Sequence, residues 1–141
     1  MHAPWHLWVV GIVTLLWNAG AGFDYVATQY DLEFYMKNFS EAQIAWFQTF
    51  PGWVQSTWAI AVWGSVAGSI FLLMRSRWAG VAFGVALVCM IATAVHNFSL
   101  ADSTMDDVVG MEAVWFTLVI FVIGVFEWIY AREMRKRGVL E

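Results

Sequence analysis

Asp24, His96, Glu112 and Glu127 are the titratable residues of this 141-residue chain that stand within or at the rims of long apolar stretches. Carboxylates and an imidazole gathered in a low-dielectric pocket suit a cation, an amine or a proton relay, because their protonation is set by burial and by one another. If the apolar stretches run up and down, Asp24, His96 and Glu112 fall at one end of them. Gln55 and Trp58 open the second stretch on that same side, and Asn18 lies deeper in the first. Asp24, His96, Glu112, Gln55, Trp58 and Asn18 are therefore the expected ligand-binding set. Each also has a structural reading. Asp24 can accept from Tyr25 or a loop amide at the water interface, and His96 can be a packed, hydrogen-bonded ring. Glu112 suits the positive end of a helix dipole. Asn18 needs a partner on a neighbouring helix, since an unpaired amide in hydrocarbon costs several kcal/mol.

Glu127 stands apart, one turn before Arg132. Pairing with Arg75, Arg77 or the basic tail explains it. It also lies about 60° around a helix from Glu112, so both could border one path together with Thr117 and Gly124.

No metal site is expected, because zinc needs three or four convergent ligands. His2 and His6 are four residues apart but belong to the opposite end. A haem or lipophilic cofactor would have His96 as its axial or polar contact. Phosphate loops and dinucleotide fingerprints are absent from the sequence, so no enzymatic reaction is expected. Nucleic-acid binding is not expected either, for want of a basic tract interleaved with aromatics.

The elements that hold these residues follow from composition. The chain is 61% hydrophobic, 18% aromatic and only 13% charged, where a soluble domain carries about 25% charged residues. The bilayer is therefore the expected solvent. Spans are expected at about 5–28, 53–74, 78–98 and 108–131, each long enough to cross a ~30 Å core. The first lacks a basic n-region, so it reads as a span and not as a signal cleaved after Ala19-Gly20-Ala21. Charge sets the orientation. Arg75 and Arg77 lie in one turn and Arg132, Arg135, Lys136 and Arg137 after the last span, while Asp31, Glu33, Glu41, Asp102, Asp106 and Asp107 occupy the other connections. By the positive-inside rule both termini are cytoplasmic.

The fold class is thus an all-α, single-domain membrane four-helix bundle of up-down hairpins. In the outer connection, Ser40 with Gln43 forms a capping box and Phe39 with Ile44 a staple. They predict a short helix over 41–50, with Ile44, Phe47 and Phe50 on its apolar face and Trp46 beside it. Gly64 with Gly68, and Gly80 with Gly84, are four-residue small-residue repeats that bring helices close, within the chain or between copies.

The strings Trp17-Asn18 with Asp24-Tyr25, Phe50-Pro51-Gly52-Trp53 and Leu72-Leu73-Met74-Arg75-Ser76-Arg77-Trp78 resemble a family of small four-span bacterial inner-membrane proteins. Its members are often described as sugar transporters. The resemblance covers most of the chain, implies a bacterial inner membrane and four helices, adds a little weight to transport, and assigns no residue a role. Three functions are compatible with all this. One is a homo-oligomeric binder or transporter of a small neutral or cationic solute. Another is an accessory protein that packs on itself or on a larger membrane complex. The third is a binder of lipid or a lipophilic cofactor.

Overall fold

The structure, a computed structural model, describes residues 2–30, 33–101 and 104–141. Asp31 and Asp102 of the acidic connections lie outside these residues. The long helices are α1 (Trp5–Gln29), α4 (Gly52–Leu73), α5 (Trp78–Val95) and α7 (Met111–Lys136). Short helices α2 (Glu33–Met36) and α3 (Glu41–Gln48) join α1 to α4, and α6 (Met105–Val108) precedes α7. All four long helices are long and apolar enough to span a bilayer.

Burial is reversed relative to a soluble bundle. The exposed faces carry Val13, Leu16, Val88, Val122 and Ile129, while Thr14, Asn18, Ser65, Ser69 and Glu127 are buried. Apolar side chains outside and polar ones inside suit hydrocarbon as solvent.

Proline sets two starts. Pro4 precedes α1 and Pro51 precedes α4, where a missing N–H costs nothing because the first turn has no acceptor for it. The capping box at α3 is present, with Gln43 N donating to Ser40 Oγ and Ser40 N to Gln43 Oε1, both at 3.1 Å. α3 stops at Gln48, two residues before the expected end. Its buried anchor is Trp46, at 6% exposure, instead of Ile44. The last span begins at Met111, after Gly110 takes φ 109, and runs five residues beyond the expected end. Its basic final turn stays helical where cations oppose the C-terminal dipole.

α1 packs on α4, α4 on α5, and α5 on α7. Small residues allow these approaches. A Cβ on Gly68 would stand 2.6 Å from the Phe83 ring, and one on Gly64 3.2 Å from Ala86. Gly84 lies under Trp128, while Gly80 has only Arg132 within 4 Å. Gly64, Gly68 and Gly84 therefore serve contacts within the chain. The backbones of α1 and α7 stay apart. The rings of Trp17 and Phe116, 6.3 Å apart, and a hydrogen bond between His6 and Tyr130 bridge that seam.

Both termini and the turn at 74–77 share one end, the terminal end. There Gly138, at φ 75, ends α7 in a Schellman motif: Val139 N donates to Met134 O and Gly138 N to Arg135 O, both at 3.0 Å. The tail then folds under the bundle. Glu141 N donates to Arg75 O at 2.9 Å, Arg77 N to Glu141 O at 3.0 Å, and Arg75 Nε to Val139 O at 3.1 Å. These bonds hold Arg75 in the left-handed region, at φ 57. Val139 and Leu140 are buried with Leu7, Leu72, Phe83 and Met134, so the terminal end is solidly packed.

Gly68→Ala should lower stability by about 1–3 kcal/mol, since the added methyl meets a ring that cannot retreat. Gly20→Ala, whose Cβ would meet nothing within 4 Å, should be neutral or stabilising. Thermal unfolding in detergent distinguishes the two.

Candidate functional site

The other half of the bundle holds a cavity of about 650 Å³. α1 contributes Trp17, Asn18, Gly20, Ala21 and Asp24 to its wall, α4 Trp58, Ala61 and Ser65, and α5 Met90 and Thr93, with Asn97 from the turn that follows α5. α7 adds Phe116, Thr117, Phe121, Gly124 and Glu127. Tyr35, Phe39, Phe47, Phe50 and Met105 roof it from the connections. The lining carries two carboxylates, those of Asp24 and Glu127, and no Lys or Arg.

The deep end is organised by Asn18, which is 4% exposed. Its Nδ2 reaches Ser69 Oγ at 2.9 Å, Ser65 O at 3.1 Å and Glu127 Oε1 at 3.3 Å. Ser69 Oγ donates onward to Thr14 Oγ1 at 3.1 Å, and Thr14 Oγ1 to Val10 O at 2.7 Å. The relay ends on a backbone carbonyl, so each hydroxyl proton has an acceptor.

Glu127 is 3% exposed and points inward to Asn18, not to Arg75, Arg77 or the tail. This corrects the expected ion pair. Those arginines instead serve the terminal end: Arg75 holds the Val139 carbonyl, and Arg77 lies 5.6 Å over the Trp78 ring. The ion pair among the described residues is Glu133 with Arg137, at 3.1 Å.

The outer end is closed by Asp24, which accepts a hydrogen bond from the Tyr35 hydroxyl. Phe23 and Phe39 flank Tyr35 at ring distances of 5.6 and 5.5 Å. Asp24 thus fastens the α2 segment across the cavity. Trp58 packs edge-on against Tyr25 at 4.8 Å and Phe50 at 6.0 Å, forming the wall below the roof.

The expected set divides. Asn18, Asp24 and Trp58 face one cavity, and Glu127, expected to pair with Arg75, Arg77 or the tail, joins them; His96, Glu112 and Gln55 are not in its lining. His96 is buried behind the roof, edge-on to Phe50 at 5.3 Å and Trp53 at 5.7 Å, with Nδ1 3.1 Å from Asn97 Oδ1. The helix widens there into a π turn over His96–Leu100, closed by Ala101 N on His96 O at 2.9 Å. Asn97 is the residue that reaches the cavity. Glu112 is exposed in the first turn of α7. Gln55 Nε2 donates to the Phe50 carbonyl at 3.2 Å and so ties α4 to the end of α3.

Tyr35, Ser69 and Thr14 were not singled out in the sequence as site residues. Ser69 is four residues after Ser65, on the same helix face, which could have marked it. Tyr35 has no comparable signal, because it lies in a connection without periodicity. Among the described residues no three His, Cys, Asp or Glu side chains converge in a way that could hold a metal ion.

Chemically, the cavity offers an apolar, aromatic chamber with a hydrogen-bond acceptor at each end. No protein-family model, curated protein or solved structure matches the chain.

Asn18→Ala should cost about 1–3 kcal/mol by leaving Glu127 and Ser69 without their donor. The cost should shrink when Glu127 is also Leu, and a double-mutant cycle on thermal unfolding measures that coupling. Burial, then the hydrogen bond that Tyr35 donates to Asp24 and the charge of that carboxylate, push the Tyr35 phenol above its ordinary 10.0. A raised phenol favours the neutral form. The clasp is therefore fully present below pH ~10 and is lost only as pH climbs through the raised value. The ultraviolet phenolate titration of wild type minus Tyr35→Phe should accordingly show no ionisation of this tyrosine near pH 10.

Proposed function

We propose that this protein binds a small lipophilic molecule bearing a cationic or hydrogen-bond-donating group, inside the membrane. The observation that carries the reading is the cavity that joins Asp24 to the Asn18–Glu127 pair through apolar walls without a lining cation. Aromatic and aliphatic walls take an apolar body, and carboxylates in a low-dielectric chamber take a donor or a positive charge. An anion would meet two carboxylates and no compensating group.

Access fits a ligand dissolved in lipid. The cavity lies beside the α1–α7 seam, where Trp17 and Phe116 are 36% and 58% exposed. The packed terminal end supports binding more directly than conduction, because a through-path would have to displace Leu7, Leu72, Val139 and Leu140. Transport would require the seam and that plug to open in alternation. In this reading the membrane is a bacterial inner membrane, and the basic residues at the terminal end support cytoplasmic termini. Homo-oligomers would form through surfaces other than Gly64, Gly68 and Gly84, whose contacts are within the chain.

The test is a set of matched probes on the purified protein: an arylalkyl amine, its neutral acetamide and an arylalkyl carboxylate. The amine should raise the unfolding temperature and quench tryptophan emission, and the carboxylate should do neither. Gly20→Leu places a side chain into the cavity wall from an unobstructed Cβ and should abolish the response. Glu127→Gln should weaken the amine by roughly tenfold or more, as expected for loss of a charge-assisted hydrogen bond. Equal binding of the carboxylate, or an undiminished response in Gly20→Leu, defeats the reading.

A further inference from the structure

We propose that a groove between α5 and α7, at the terminal end, is a binding site for a single anionic phospholipid. The groove is separate from the central cavity and has a volume of about 490 Å³. Gly80, Gly84 and Val85 of α5 and Trp128, Arg132 and Arg135 of α7 line it.

The groove exists because two side chains are missing. Gly80 leaves open space, with only Arg132 Cγ within 4 Å of where its Cβ would stand. At Gly84 the indole of Trp128 lies over the backbone, Nε1 being 3.2 Å from the position of a Cβ. The floor is thus glycine backbone with an N–H donor beside it. The rim is lipid-facing, Val85 being 49% and Val88 66% exposed.

Length and charge select the occupant. From Gly80 to Cys89 the groove follows α5 for about 14 Å at 1.5 Å per residue. That is close to half of a ~30 Å hydrocarbon core, the depth of one leaflet. Its two cations sit at the headgroup end. Arg132 and Arg135, three residues apart, share a helix face. The Arg132 guanidinium is held 4.8 Å over the Trp128 ring, which fixes it above the groove. Among the described residues the neighbouring carboxylate, Glu133, is taken by Arg137. Two guanidinium groups facing outward suit a phosphate diester, which arginine binds with paired hydrogen bonds. An isologous second copy in the same groove would bring its own Arg132 and Arg135 against these, like charge on like. A lipid acyl chain with an anionic headgroup satisfies both halves of the groove without that repulsion.

The experiment titrates the delipidated full chain with dioleoylphosphatidylglycerol or dioleoylphosphatidylcholine and counts bound lipid by native mass spectrometry. One phosphatidylglycerol per chain should bind in preference to phosphatidylcholine. Arg132→Gln and Arg135→Gln should each weaken it about fivefold, as expected for one basic residue at an anionic surface. The control Lys136→Gln removes the same charge outside the groove and should leave the first lipid bound. Gly80→Leu fills the groove with every cation retained and should displace the lipid, its fold checked by thermal unfolding. The inference is overturned by any of three results: a control as damaging as either arginine variant, unchanged binding in Gly80→Leu, or a doubled mass that excludes lipid.

Discussion

One amide, that of Asn18, sets the constraint on which the bundle depends. In hydrocarbon no water completes a polar side chain, so each must find its partners within the chain. Asn18 answers this by bonding across to Ser65 and Ser69 on α4 and to Glu127 on α7. The contacts draw three of the four long helices to a common point. Gly11 and Gly22 let α1 come close enough, lying against Leu73 and Trp63 respectively. Polar satisfaction and close packing are thus met together along the buried face of α1.

Around that point the molecule divides into unlike halves. Below it, the folded-back tail and the Leu7, Leu72 and Phe83 cluster fill the bundle. Above it, α1 and α7 stay apart and the volume is left to be roofed by rings. Trp46, Phe47 and Phe50 pack edge-to-face at 5.0–5.9 Å, the arrangement that aromatic quadrupoles favour. A roof of this kind holds its shape by ring contacts, with Asp24 and Gln55 as its polar fasteners.

Much of the architecture was legible in the sequence. Long apolar runs, the Arg75–Arg77 turn and the Ser40–Gln43 box each act locally, so they survive into the structure nearly unchanged. Which residue faces the cavity was less legible, because facing depends on rotation of whole helices. His96 and Asn97 differ by about 100° around the axis. The π turn beginning at His96 falls at that boundary, and the cavity takes Asn97. Glu112 and Glu127 differ by about 60°, enough to put one outside and the other within. Sequence proximity to arginines misread Glu127, since a carboxylate one turn from a helix end can turn inward as easily as outward. The Tyr35–Asp24 contact joins residues of two separate helices, α1 and α2, so no period within one helix could reveal it.

The Asn18 amide also poses a question of arithmetic. Its nitrogen carries two hydrogens, yet three acceptors stand around it, at 2.9, 3.1 and 3.3 Å. The longest of the three contacts is the one to Glu127. Another donor arriving at that carboxylate would leave the amide still served by Ser69 and the Ser65 carbonyl. The bundle could therefore surrender Glu127 without unfastening α1 from α4: a carboxylate only 3% exposed is the acceptor the amide can release while Ser65 and Ser69 stay bound.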